Sequence, residues 1–116
     1  MKSLAQFLKL FSDETRLRCI NLIHQNNSLC VCELTYALEL SQPKISRHLA
    51  SLRQFGLIND KRVGQWVYYS INPKIEKDKS VILNSIALSF EKTQIATNDK
   101  KRLENMKNRP ESLNCC

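Results

Sequence analysis

The sequence predicts a mainly α-helical fold that carries one small β-hairpin. Two short amphipathic helical patterns, separated by a tight joint, occupy the middle of the chain, and two β-rich segments follow them. The 116-residue length favours one domain, and apolar helical patterns near both ends exceed what one small core can hide. This order of elements describes a winged helix-turn-helix, and the surplus apolar helices predict that it is dimeric.

The N-terminal part is expected to form two helices. Apolar residues recur every three or four positions within Leu4–Phe11. Ser12 or Asp13 then offers a capping side chain for a second helix that ends near Gln25. Cys19 falls on the apolar face of that helix, so we interpret it as structural, and His24 as a partly exposed helix-end residue.

The segment Leu29–Phe55 is the centre of the prediction. Its first half is expected to be a short helix with Cys30 and Cys32 at its entrance. Ser41 is a good N-cap for the second helix, and Pro43 suits the first turn because its missing N–H has no helical partner there. The buried stripe of the second helix is predicted to consist of Ile45, Leu49 and Leu52.

A β-hairpin is expected after this pair of helices. Gly56 is a natural helix stop, since glycine adopts the left-handed C-terminal conformation without strain. The β-rich segments Leu57–Val63 and Trp66–Ile71 are joined by Gly64-Gln65, which has the chemistry of a tight turn. We interpret this hairpin as the wing.

The C-terminal part is predicted to contain one more helix and a tail. Apolar residues between Ser80 and Ala96 indicate a helix that buries itself against a second copy. We therefore assign residues 1–96 to a DNA-binding and dimerisation domain. Residues 97–116 are polar and charged, and we expect them to form a flexible tail that ends in Cys115-Cys116.

The charge distribution favours a polyanionic partner. Eighteen Lys and Arg residues against eleven Asp and Glu residues give a net charge of +7. Between Lys44 and Arg62, five basic residues face one acid, Asp60. We expect this surface to bind double-stranded operator DNA. The candidate contacts are Gln42, Lys44, Ser46, Arg47 and His48 on the helix, and Arg62, Gln65 and Trp66 on the wing. Trp66 could instead pack under the wing.

No stretch of the sequence is long and apolar enough to span a membrane, and the N-terminus lacks a secretory pattern. We therefore expect a cytoplasmic protein whose five cysteines are reduced thiols. A thiol enzyme or metal carrier is disfavoured, because no histidine, anion cradle or acid/base pair accompanies Cys115 and Cys116. We predict no enzymatic activity.

Four segments in this order resemble the ArsR/SmtB family of winged-helix metalloregulators. They are Asp13-Glu14-Thr15-Arg16-Leu17, Leu29-Cys30-Val31-Cys32-Glu33-Leu34, Ser41-Gln42-Pro43 through Ser46-Arg47-His48-Leu49, and Arg62 to Tyr69. The Cys-Val-Cys-Glu-Leu segment is similar to the arsenical-resistance repressors. The resemblance implies a dimeric repressor without a resident cofactor. Its inducer would be As(III) or Sb(III), which binds the thiols and makes the protein leave its operator.

The resemblance also leaves the third metalloid ligand open. Relatives with this segment commonly carry a third cysteine three residues after the second, where this chain has Thr35. Cys115 or Cys116 could supply the missing thiolate, or could be an inert tail end. The last predicted helix has no histidine, so the zinc site of the family's other branch is expected to be absent.

The spacing of the two central cysteines suggests a mechanism. Residues two apart on a helix point about 200° away from each other. Cys30 and Cys32 would therefore have to distort the start of their helix to bind one soft ion, and the distorted conformation would no longer fit DNA. The alternative inputs for the same fold are methylarsenite, cadmium or lead, and oxidation of the thiol pairs. The alternative role for the two cysteines is that of small core residues.

Overall fold

The computed structural model describes residues 3–107. Helices dominate this part of the chain, and a small antiparallel sheet is formed by one short strand before the third helix and a hairpin between the fourth and fifth. The elements in order are α1 (Leu4–Lys9), α2 (Glu14–Gln25), β1 (Leu29–Cys30), α3 (Val31–Leu38), α4 (Gln42–Phe55), β2 (Ile58–Val63), β3 (Trp66–Ile71), α5 (Lys77–Glu91) and α6 (Gln94–Lys107).

Helices α1 and α2 form as the sequence predicts. The side chain of Asp13 accepts a hydrogen bond from the backbone N–H of Arg16 at 3.0 Å and so caps α2. Cys19 has no exposed surface and belongs to the core, as expected for a structural thiol. Helix α2 contacts every later helix and the sheet, so it is the element around which the fold is packed.

The predicted helix-turn-helix is confirmed as α3 and α4. Helix α3 ends at Glu39, whose φ of 56° reverses the chain in the left-handed region. The hydroxyl of Ser41 accepts a hydrogen bond from the Lys44 N–H at 3.4 Å, and proline lies in the first turn of α4. The stripe that faces the core, with no exposed surface, is Ile45, Leu49 and Leu52.

The wing is also confirmed, and it contains one strand that the sequence did not reveal. Gly56 ends α4 with a φ of 100°, and Gly64 turns the hairpin with a φ of 64°. Strand β1 pairs with β3, in the order β1-β3-β2, and places Cys30 opposite Tyr68. A two-residue strand carries too little pattern to be read from sequence, so the pairing of Cys30 with β3 was not predicted, although Cys30 does lie at the entrance of α3 as expected.

The prediction of a single terminal helix over 80–96 followed by a flexible tail over 97–116 is wrong for residues 97–107. Helix α5 ends at Glu91, and Thr93 starts a new helix by accepting a hydrogen bond from the Ala96 N–H at 3.3 Å. Four residues of α6 spaced three and four apart are buried against the rest of the fold. They are Ala96, Asp99, Leu103 and Met106. Residues 108–116, including Cys115 and Cys116, lie outside the described residues.

Within residues 3–107, no helix is both long enough and apolar enough to cross a membrane. Several large apolar side chains on α1 and α5 are open to solvent, with 44–59% of their surface exposed. These residues are Leu4, Leu8, Val81 and Leu88. Exposed apolar faces on the first helix and on α5 agree with the sequence expectation of apolar surplus near both ends.

Candidate nucleic-acid interface and thiol site

Helix α4 presents a polar face away from the core. Gln42 and Arg47 are exposed, and Lys44 and Ser46 are half-buried beside them. The backbone N–H groups in the first turn of a helix attract anions. Ser41 and Gln42 are exposed, so the start of α4 lies at the surface. The four side chains therefore form a polar surface at the N-terminal part of α4.

His48 does not belong to this exposed face. It is half-buried, with its Nδ1 atom 3.5 Å from Nη1 of Arg16 and its Nε2 atom 3.9 Å from Oδ1 of Asp13. Burial lowers the pKa of His48, and nearby Asp13 only partly offsets that effect. Arg16 also donates hydrogen bonds to the carbonyls of Lys9 and Leu10, at 3.1 and 3.0 Å. His48 thus holds α4 against the α1–α2 joint instead of extending outward.

The wing carries the other candidate contacts. Arg62, Gln65 and Trp66 are exposed at the tip of the hairpin, where Val63 pairs with Trp66 across the turn. Trp66 keeps 37% of its surface exposed and so is not packed fully under the wing. Oδ2 of Asp60, the acid in this basic stretch, lies 3.7 Å from Nη1 of Arg53.

The thiol site lies at the junction between the sheet and α3. Cys30 is the last residue of β1 and the N-cap of α3, with extended backbone angles (φ −91°, ψ 165°), whereas Cys32 lies in the first helical turn. The backbone N–H of Cys30 donates to a carboxylate oxygen of Glu33 at 3.0 Å. Cys30 is therefore not helical, so the 200° offset expected of two residues within one helical turn does not apply to this pair.

One cavity of about 560 Å³ connects this site with the DNA-facing elements. Cys30 and Cys32 both line it, and the first residue of α4 and the wing tip contribute Gln42 and Trp66. Thr35 lines the same cavity, with its hydroxyl donating to the Val31 carbonyl at 2.8 Å. Both cysteines therefore border the same cavity.

The oxidation states differ from the expectation of five reduced thiols. Cys30 and Cys32 are disulfide-bonded in the structure, while Cys19 is a free thiol. Burial raises the pKa of Cys19 to about 12, so it stays protonated and is a poor ligand. His24 lies 2.9 Å from Oδ1 of Asn84, at the surface. In the described part of the chain, no group of three or more His, Cys, Asp or Glu side chains forms a metal cluster.

The sequence reasoning missed a cluster of three charged residues that contacts the C-terminal end of α3, which we call the Asp99 cluster (Arg18, Asp99 and Arg102); Arg18 and Asp99 are buried and Arg102 is half-buried. Asp99 on α6 accepts two hydrogen bonds from Arg18, at 2.8 and 2.9 Å, and one from Arg102 at 2.8 Å. Arg18 also donates to the Leu38 carbonyl at 2.9 Å, and Arg102 to the Ala37 carbonyl at 2.6 Å. The cluster was not predicted because residues 97–116 were assigned to a flexible tail. The spacing of Ala96, Leu103 and Met106 nevertheless indicates a helix.

An exposed polar face on the second helix of a helix-turn-helix, beside a basic wing, defines a DNA-binding transcriptional regulator. The family described as bacterial regulatory protein, arsR family, matches residues 13–60. The arsenic resistance transcriptional regulator ArsR1 of Pseudomonas putida is 45% identical over 108 residues, which cover 93% of this chain and 83% of that protein. The chain belongs to the arsR family, whose members are regulators and not enzymes.

Two further comparisons agree. The arsenical resistance operon repressor of Escherichia coli is 51% identical over 70 residues, which cover 60% of this chain and 60% of that protein. Among solved structures, HlyU from Vibrio cholerae superimposes with a TM-score of 0.65 at 31% identity, covering 74% of this chain and 89% of that one. The winged-helix assignment therefore holds for both sequence and structure.

Proposed function

We propose that this chain is a homodimeric, cytoplasmic repressor of arsenic resistance genes. It binds operator DNA and dissociates when As(III) or Sb(III) binds Cys30 and Cys32. The relatives described as arsenic resistance regulators support the class of inducer. The observation that carries the proposal is the position of Cys30, which is both paired with Tyr68 on the wing strand β3 and the N-cap of α3.

The chemistry of the inducer fits this position. Arsenic(III) is soft and prefers thiolate ligands. Arsenous acid and two thiols form two As–S bonds and release two water molecules, so arsenic stays trivalent and no electron moves. The disulfides of Cys30 and Cys32 must first be reduced, which cellular thiols can do. The third position on arsenic takes a hydroxyl or a thiolate from Cys115 or Cys116.

The structural route to DNA release is short. A metalloid held by Cys30 and Cys32 fixes the junction between β1 and α3. Helix α3 packs on α4, and β1 pairs with β3. A shift of the junction therefore changes the position of α4 relative to the wing. The inducer stabilises the conformation in which these two elements no longer fit DNA together.

Dimerisation is supported by the exposed apolar side chains of α1 and α5. Leu8 and Leu88 are about half exposed, as are Leu4 and Val81. Exposed apolar surface of this kind marks a protein contact. Two copies would present two α4 helices to successive major grooves, which matches a palindromic operator. The proposed DNA contacts are Gln42, Lys44, Ser46 and Arg47 on α4, and Arg62, Gln65 and Trp66 on the wing, with His48 positioning α4.

Operator-release titration with arsenite under reducing conditions tests the proposal. Cys30→Ser and Cys32→Ser should each bind operator normally and no longer release it, because a hydroxyl is a poor ligand for a soft ion. The matched control is the double variant Cys115→Ser/Cys116→Ser, which should respond more weakly but still respond. Normal release by Cys30→Ser and Cys32→Ser, with no release by the tail variant, would place the sensor elsewhere.

Oxidation is a second candidate input, favoured by the disulfides at Cys30 and Cys32. A mild thiol oxidant should then release the operator from the wild-type protein in the absence of arsenic, and a reductant should restore binding. If the fully oxidised protein binds operator as tightly as the reduced one, oxidation is not an input.

A further inference from the structure

The C-terminal end of α3, which precedes α4, is held by charged side chains from two other helices. The last carbonyls of a helix lack helical partners and need donors. Here Arg18 of α2 supplies one to Leu38, and Arg102 of α6 supplies one to Ala37. Both arginines converge on the carboxylate of Asp99, which has no exposed surface.

This arrangement fixes the joint between α3 and α4. Glu39 follows Leu38 directly and takes the left-handed conformation that turns the chain toward α4. Nη1 of Arg102 also lies 3.7 Å from a carboxylate oxygen of Glu39. Since guanidinium groups are planar and donate in fixed directions, they orient the carbonyls that they bind. The Asp99 cluster therefore defines where α4 starts relative to the core.

We propose that Asp99 and Arg102 are positioning residues for operator binding and that they set the sensitivity of the repressor to its inducer. Neither residue lies on the face of α4 or on the wing. They act through the joint, by favouring the conformation in which α4 and the wing fit DNA together. The effect on inducer sensitivity rests on the proposed function, whereas the effect on operator binding does not.

The energetic consequence follows from a two-state equilibrium between a DNA-competent and a released conformation. A variant that weakens the Asp99 cluster shifts this equilibrium toward release before any inducer is added. If most of the unliganded protein is already competent, operator affinity falls little, while less inducer is needed to reach the midpoint of release. The inducer midpoint is therefore the more sensitive measurement.

Arg102→Ala is the test variant, because Arg102 is 28% exposed and Arg18 still neutralises Asp99 after its loss. Lys101→Ala is the matched control, since it removes the same charge from an exposed neighbouring position on α6. Arg102→Lys is a second variant that keeps the charge. A lysine lacks the planar guanidinium that donates to the Ala37 carbonyl and the Asp99 carboxylate at the same time. Full-length protein and an operator fragment bound by the wild type are used throughout.

Arg102→Ala should lower the arsenite concentration at half-maximal operator release by about five-fold or more. A factor of this size is typical of coupling between two sites in one protein. Operator affinity should fall measurably below that of Lys101→Ala, but by no more than the same factor. Arg102→Lys should lie between this variant and the wild type, and Lys101→Ala should match the wild type. Thermal denaturation run in parallel identifies the temperatures at which every variant is fully folded.

The salt dependence of operator binding separates positioning from contact. A residue that touches phosphate contributes to the slope of log affinity against log salt, with about one unit lost per contact removed. Arg102→Ala should keep the wild-type slope, whereas Arg47→Ala should reduce it. A reduced slope for Arg102→Ala would mean that Arg102 contacts DNA, and an unchanged arsenite midpoint in the folded variant would reduce its role to stability. Both results overturn the inference.

The two proposals fail separately. If arsenite does not release the wild-type protein, the proposed inducer is wrong. The positioning role is then decided by operator affinity alone, at temperatures where all variants are folded. An Arg102→Ala affinity equal to that of Lys101→Ala would in that case overturn it.

Discussion

The two ends of α3 are held in different ways. At the N-terminal end, Cys30 is attached to the sheet through a strand of two residues and borders an open cavity of about 560 Å³. At the C-terminal end, the carbonyls of Ala37 and Leu38 are capped by two arginines that share the buried carboxylate of Asp99. The N-terminal end borders a cavity that a ligand can enter, whereas the C-terminal end is fixed by hydrogen-bonded charges.

This difference suggests how a short helix can carry a signal. If both ends were equally loose, ligand binding at the cysteines would be absorbed locally and would not reach α4. If both were equally fixed, the cysteines could not move. With the C-terminal end fixed, a displacement at the N-terminal end changes the direction of α3 relative to α4 and the wing, on which it packs.

The largest expected effect is at the fixed end. Asp99→Ala should lower the free energy of unfolding by about 3–5 kcal/mol, because it leaves the buried charge of Arg18 without its partner. Asp99 also raises the pKa of Arg18 through a hydrogen bond, in line with a strong interaction. Urea denaturation measures the change. Glu104→Ala, an exposed acid on the same helix, should cost far less. A similar loss in both variants would show that the Asp99 cluster contributes no special stability.

The next effect is at the thiol end. Thr35→Cys adds a third sulfur to the wall of the cavity that Cys30 and Cys32 already line. The arsenite midpoint should fall about ten-fold, equivalent to about 1.4 kcal/mol, while operator affinity should stay the same. Thr35→Ser is the control, since it can keep the hydrogen bond to Val31 and adds no sulfur. A weaker arsenite response in Thr35→Cys would mean that Thr35 does not face the bound metalloid.

A smaller effect is expected from the cap of α3. Glu33→Ala removes the acceptor for the Cys30 N–H and should lower the free energy of unfolding by about 0.5–2 kcal/mol. Because this cap is a single hydrogen bond and leaves no buried charge without a partner, we expect the loss to fall below that of Asp99→Ala. Thermal or urea denaturation of the two variants side by side gives the comparison directly. A larger loss for Glu33→Ala would mean that the N-terminal end of α3 is held more strongly than the end bound by the Asp99 cluster.

The smallest effect concerns pH and the contact that holds α4 to α2. Burial lowers the pKa of His48 below the ordinary value of 6.5, so the folded protein binds a proton there less readily than the unfolded chain. The stability that neutral His48 contributes is complete above pH 6.5 and is lost as the pH falls through the folded-state pKa. His48→Gln should flatten the stability profile in this window. An unchanged profile would assign the pH dependence to other groups.

The helix-turn-helix and the wing could be predicted because their signals are local. The spacing of Ile45, Leu49 and Leu52, the Ser41 cap and the glycines at 56 and 64 each act within a few residues. The exposed positions of Gln42, Arg47 and Arg62 follow from the same periodicity. These parts of the candidate interface needed no knowledge of tertiary packing.

The rest depends on contacts between distant residues. Cys30 is extended because its strand pairs with β3, and a pattern of two residues cannot show that. His48 turns inward because Asp13 and Arg16 lie beside it. Asp99 interrupts the apolar stripe of α6 with a charge whose partner, Arg18, lies on α2, so the segment looked like a solvated tail.

The separation of Arg18 and Asp99 by 81 positions in the chain also bears on how the protein is made. Translation completes the helix-turn-helix and the wing well before it reaches α6, and chains grow at about 5–20 residues per second. During that interval the nascent polypeptide holds Arg18 without its carboxylate, and the carbonyl of Ala37 lacks its donor, Arg102. A ribosome-bound or prematurely terminated fragment is therefore expected to compete poorly for the operator, which reserves DNA occupancy for chains that have been synthesised at least through Arg102.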